Sequence, residues 1–142
     1  MIETGLRTFD KTLQTTNTWL REIEEEIHLE DHQQSYHALR GVLLTLRDRL
    51  PVDEALDLAA ELPMLIRGVY FDGYKAANKP RKYDADEFLR HVQEELEPGG
   101  VTNSPSDVTR AVFGVLARRI SEGEAQQVYN ALPRDIQKLW PN

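Results

Sequence analysis

The sequence predicts an all-α fold: a single compact domain made of two similar four-helix repeats packed about a pseudo-twofold axis. Three observations predict it. Apolar residues recur at helical spacing along nearly the whole chain. Asp, Ser and Pro stand where helices start and stop. Residues 34–70 return without a gap as residues 104–140. Nowhere do Val, Ile and aromatic residues alternate with polar ones at period two, so no strand is expected.

Phe9, Leu13, Trp19, Leu20, Ile23 and Ile27 predict a first amphipathic helix from about 9 to 28, with Glu22, Glu24, Glu25 and Glu26 on a solvated acidic face. Asp31-His-Gln-Gln34 has the pattern of a capping box and opens a second helix. That helix carries Tyr36, Leu39, Val42, Leu43, Leu46 and Leu50 on one stripe and stops at Pro51. Gly41 in its interior costs about 1 kcal/mol relative to Ala, which close approach of a neighbouring helix would justify. A third helix, 52–62, turns Ala55, Leu58, Ala59 and Leu62 inward, and Pro63 suits the first position of a fourth, short helix ending at Asp72-Gly73.

In the second half, Asp84-Ala-Asp-Glu87 is another capping box, and Phe88, Leu89, Val92 and Leu96 mark a fifth helix that Pro98-Gly-Gly100 ends. Ser104-Pro105 and Asp107 give the sixth helix a capping hydroxyl, a proline at its first position and a favourable charge. Ser121-Glu-Gly-Glu124 starts the seventh, and Pro133 opens an eighth that ends near Trp140.

Over residues 34–70 and 104–140 nine positions are identical: Arg40/Arg110, Val42/Val112, Leu46/Leu116, Arg49/Arg119, Glu54/Glu124, Ala55/Ala125, Leu62/Leu132, Pro63/Pro133 and Ile66/Ile136. Ordinary residue frequencies give roughly two or three by chance. The expected layout is a first repeat over about 9–72, a basic connector over 73–83 and a second repeat over about 84–140, all within one domain spanning 1–142. A unit of about 70 residues is marginal alone, so the halves are expected to share one core. The recurring Arg49/Glu54 and Arg119/Glu124 combinations read as helix-end charges that the macrodipole favours.

Composition narrows the function. With 24 acidic and 17 basic side chains the formal charge is −7, which argues against nucleic acid or an anionic membrane as a partner. No cysteine is present, which removes disulfides and thiol chemistry and suits a reducing compartment. The start, Met1-Ile-Glu-Thr-Gly-Leu-Arg7, lacks the basic and apolar regions of a secretory leader, and no apolar run is long enough for a membrane span. Cytoplasmic placement is the expectation.

Three local features carry candidate chemistry. His28, His32 and His37, with Glu26, Glu30 and Asp31 among them, have the composition of a weak metal site, although Leu29 breaks the metalloprotease pattern and a solvated helix junction explains them as well. Lys75, Lys79, Arg81 and Lys82, between Tyr74 and Tyr83, have the charge and aromatic content of an anion contact, or of a linker that neutralises an acidic body. Tyr70, Phe71 and Tyr74 crowd the end of the fourth helix, where they are core or edge a groove between the repeats. No Ser–His–acid set, glycine-rich phosphate loop or zinc-finger spacing appears, and no cofactor is expected. This argues against an enzyme, while leaving a bundle free to assemble a site from distant carboxylates.

The run Arg40-x-Val-Leu-x-x-Leu-x-x-Arg-Leu-Pro51, followed by Glu54-Ala55, Leu62-Pro63 and Ile66-Arg-Gly-Val-Tyr70, resembles a bacterial family known as domain of unknown function 2267. The resemblance implies a small, all-helical, soluble bacterial protein, with no catalytic or ligand residues to carry over. The second half departs from the motif at Ser121, in place of proline, and at Gly114, in place of leucine. The functional expectation is a non-enzymatic helical interaction module that binds a protein partner or itself. The alternative is a small-molecule or anionic-ligand binder using the groove between repeats.

Overall fold

Side-chain caps set four of the helix starts. In a computed structural model, which describes residues 4–142, Asp31 accepts from the Gln34 N–H at 2.9 Å, Asp84 from Glu87, Ser104 from Asp107 and Ser121 from Glu124. The reading of a leader-free start falls partly on Met1–Glu3, outside the described residues. Eight helices follow: α1 Arg7–Ile27, α2 His32–Arg49, α3 Val52–Glu61, α4 Met64–Phe71, α5 Ala85–Leu96, α6 Pro105–Arg119, α7 Glu122–Ala131 and α8 Arg134–Gln137. No strand occurs among the described residues. None of the helices is long and apolar enough to cross a membrane.

Several local expectations need correction. At Asp84 the capping box is complete, but at Asp31 it is half made: the Gln34 side chain turns back one residue further, to the Glu30 N–H, and also donates to Gly100 O. Pro63 is the cap rather than the first helical residue. Its backbone is extended, with ψ at 152°, and its carbonyl accepts the first helical bond from Arg67 N–H. Pro133 behaves alike, and α8 stops at Gln137, short of Trp140.

The core forms around α2 and α6, which touch each other and are both flanked by α1 and α5. Val42, Leu43 and Leu46 of α2, with Leu50 just past its end, share one buried cluster with Val112, Phe113 and Leu116 of α6 and with Ile23, Phe88 and Val92. α3 packs on α7 at one end, and α4 lies against α1, α2 and α3. The result is one compact, all-helical domain. At Gly41 α2 passes close to α5: an added Cβ would stand 3.1 Å from Glu95 Cβ and 3.3 Å from Val92 O. At Gly99 a Cβ would lie 2.4 Å from His37 Cγ, so that loop seats against the ring only as glycine.

The acidic face of α1 is not simply solvated. Glu22 holds Arg118 and Arg119 of α6, and Glu24 holds His32 and the Ser35 hydroxyl. These contacts tie α1 to both central helices.

Candidate functional site

An apolar groove separates the start of α1 from α4. Nothing in α1 is buried before Trp19, because a 21-residue helix spans about 31 Å and its first turns overrun the core. Phe9 and Leu13, which the periodicity placed on the core face, therefore face α4 instead, beside Met64, Leu65 and Gly68. The groove holds about 360 Å³. Thr12 Oγ1 accepts from the Leu65 N–H at 3.1 Å, satisfying a free donor in the first turn of α4 and fixing the spacing of the walls. Phe9 (46% exposed), Met64 (51%) and Leu65 (40%) remain open, with Leu6 (54%) beyond them. A cluster of large apolar side chains left in water is the surface feature that marks a docking site.

The aromatic trio at the end of α4 does other work. Tyr70 is fully buried, its hydroxyl donates to Ala55 O at 2.8 Å, and burial pushes its pKa well above the usual phenol range. Phe71 packs edge-on to Tyr70 and tilts against Tyr74. Burial also raises the pKa of Tyr74. A cavity of about 230 Å³ does lie between α2 and α5, but Asp48, Tyr83, His91, Glu94 and Glu95 make it polar, and none of the trio lines it.

The basic connector folds back on α2. Arg47, buried despite its charge, donates to Tyr70 O and Asp72 O, closing the C-terminal end of α4, and stands 5.4 Å over the Tyr74 ring. Lys79 has a nearly buried side chain, 3.9 Å from Asp48 and 5.5 Å from the centre of Tyr74. The Arg81 N–H donates to Asp48 O, while the Lys75, Arg81 and Lys82 side chains are exposed. The four basic residues thus do not converge as one group.

The three histidines are likewise parted. His32 pairs with Glu24, and His37 Nδ1 lies 2.8 Å from Glu95. His28 sits in the left-handed region (φ 57°) where α1 ends, beside a surface cavity bounded by Asp107 and Arg110. Among the described residues, the group of metal-ligating side chains that does come together lies elsewhere, at Glu54, Asp57 and Glu124, whose oxygens fall within 4.8 Å of one another.

That group was missed because Glu54 and Glu124 each had a sufficient local explanation and Asp57 belonged to no motif. Glu54 and Glu124 are the third residues of α3 and α7, where a carboxylate suits the helix end. Packing of α3 on α7 then sets the two first turns face to face. The arginines that recur with them turn away: Arg49 donates to Tyr83 O, and Arg119 pairs with Glu22. Burial, followed by the hydrogen bond and charge of Glu54 and the charges of Asp57 and Glu61, pushes Glu124 up to about 8. The available signal was the sequence repeat itself, which matches Glu54 with Glu124.

Residues 16–139 match the model of a family described as "Uncharacterized conserved protein (DUF2267)". That span is most of the chain, and the chain belongs to this family. Among curated proteins no match was found.

Proposed function

We propose that this DUF2267 member is a non-enzymatic interaction module, a doubled four-helix scaffold that receives an apolar helical segment of a protein partner in the groove between α1 and α4. The observation that carries the reading is the exposure of Phe9, Met64 and Leu65 along one groove. Two facing helix walls with apolar side chains suit the i, i+3, i+4 anchors of an amphipathic helix. A second copy is a weaker fit, because these few side chains cover a fraction of the ~800 Å² per partner that a stable interface buries.

The doubled layout supports the scaffold half of the proposal. Arg67 donates to Ala59 O at 2.9 Å, and Gln137, seventy positions on, donates to Tyr129 O at 2.8 Å. Different residues thus make the same helix-to-helix bond at matched places, as expected if the two units turn alike about a pseudo-twofold axis.

The test compares wild type with Phe9→Glu and Leu65→Glu. Light scattering after size exclusion gives the mass, and quantitative capture from the source cell gives the partner. The reading expects a monomer that retains a specific protein, with retention falling at least about tenfold in both variants while helicity and melting stay unchanged, since groove anchors often contribute 2 kcal/mol or more. Equal retention by all three proteins rejects the groove. A wild-type dimer that both variants break would identify a second copy as the occupant.

A further inference from the structure

The carboxylates between α3 and α7 lack what buried anions ordinarily have. Glu124 is 7% exposed. Its Oε2, and that of Glu54, are closed off from solvent and find no hydrogen-bond donor. Among the described residues, no Lys, Arg or His lies within ion-pair distance of Glu54, Asp57 or Glu124. Arg49 and Arg119, the cations nearest in sequence, are committed elsewhere. Taking both charges out of water with nothing between them is among the costliest things a fold can do, so either a proton shared by Glu54 and Glu124 or a cation must lie there.

The geometry narrows what can compensate. Ligand oxygens from Glu54, Asp57 and Glu124 converge within 4.8 Å of one another, so one central atom is in reach of all three. A single proton bridges only two oxygens, whereas a cation serves three at once. Every donor is a hard carboxylate oxygen, without the nitrogen or sulfur that zinc or copper sites favour. Asp57 is exposed, which gives an ion a way in and leaves room for water to complete its shell, as Mg²⁺ and Ca²⁺ require.

We propose that Glu54, Asp57 and Glu124 form a binding site for a hard divalent cation, of the Mg²⁺, Ca²⁺ and Mn²⁺ class, that bridges α3 and α7. The ion pins the first turns of these two short helices together. The site lies apart from the groove between α1 and α4 and does not depend on its role.

Mn²⁺ is the probe, titrated into the full metal-free chain and followed by electron paramagnetic resonance, with Mg²⁺ and Ca²⁺ as competitors. Wild type should hold one Mn²⁺ per chain, displaceable by at least one competitor, and its melting temperature should rise with Mn²⁺. Even loss of a group that merely supports a ligand commonly weakens metal binding about 10–100-fold, so Glu54→Gln and Glu124→Gln should each weaken it at least about tenfold. Asp57→Asn, at an exposed position that folding does not need, should weaken it too. Glu94→Gln, on the exposed side of α5, should leave it unchanged. Absence of saturable binding below about 1 mM, the weak end for oxygen-ligand sites, overturns the proposal whatever the variants do. So does binding that Asp57→Asn and Glu124→Gln leave intact.

Discussion

Residues 34–70 and 104–140 align without a gap, yet they part company where α4 and α8 meet the rest of the molecule. Met64 and Leu65 open α4 as exposed apolar walls, while Arg134 and Asp135 take the aligned places in α8. The contacts differ in kind as well. Thr12 of α1 accepts from the N–H of Leu65, whereas Asp135 accepts from the N–H of Ala85, at the start of α5, at 2.7 Å. In each half one hydrogen bond thus joins the last helix to the first, and in the first half, with the longer α1, an apolar groove lies beside that bond. Shared positions build the bundle, and unshared positions decide what its surface offers.

The largest effects should fall on the shared positions, and equally in both halves. Leu46 and Leu116 are both fully buried at matched places. Leu46→Ala and Leu116→Ala should each cost about 2–5 kcal/mol in urea denaturation. Costs that differ by more than half of that range would show that the two halves do not share the core evenly.

Next comes a bond that one half alone possesses. Arg47 closes the end of α4 through Tyr70 O and Asp72 O, and its aligned residue is Ala117. Arg47→Ala should destabilise by about 3 kcal/mol, because it orphans buried carbonyls and removes packing over Tyr74. Arg110, which donates to Lys138 O near the corresponding end of α8, is exposed. Its replacement by Ala should cost under about 1 kcal/mol.

The meeting of Glu54 with Glu124 predicts a pH dependence. Glu124 is held up to about 8 in the folded chain, against 4.5 for the free group. The native state therefore keeps a proton that the unfolded chain has lost, and stability falls as pH rises between those values. The contribution is fully present below 4.5 and gone above about 8. In metal-free buffer, wild type should lose denaturation free energy across this window while Glu124→Gln loses less. Parallel curves would mean that Glu124 ionises freely in the fold.

The smallest effect is local. His28 adopts a left-handed backbone at the end of α1, with its N–H bonded to Glu24 O, where glycine is the unstrained choice. His28→Gly should therefore stabilise by about 0.5–1 kcal/mol. A loss of stability would assign the imidazole a structural contact of its own beside Asp107 and Arg110.

Legibility in the sequence followed the range of the interaction. Asp84, Ser104 and Ser121 cap helices through bonds three residues away, and those starts were readable directly. Amphipathic spacing found the faces that bear Ile23, Val42 and Val92, but it says only that a face is apolar, not what covers it. Phe9 and Leu13 have the right spacing and no core to meet, because α1 runs past the bundle. Lys79 read as part of an anion contact or a neutralising linker, since no local pattern announces its ammonium against Asp48, and none announces the Arg47 guanidinium that closes a helix twenty-odd residues away. The carboxylate group depends on how α3 meets α7, a tertiary fact that the matched Glu54 and Glu124 hinted at but did not establish.

Partner capture tests the central claim most directly, namely that function resides where the halves differ. Immobilised wild type, Leu65→Glu and a second-half surface variant, Gln127→Glu on α7, should be compared in one quantitative experiment. Wild type and Gln127→Glu should retain the same protein alike, and Leu65→Glu should reduce its retention at least about tenfold. Retention that survives in Leu65→Glu, or that fails in Gln127→Glu, would contradict the claim.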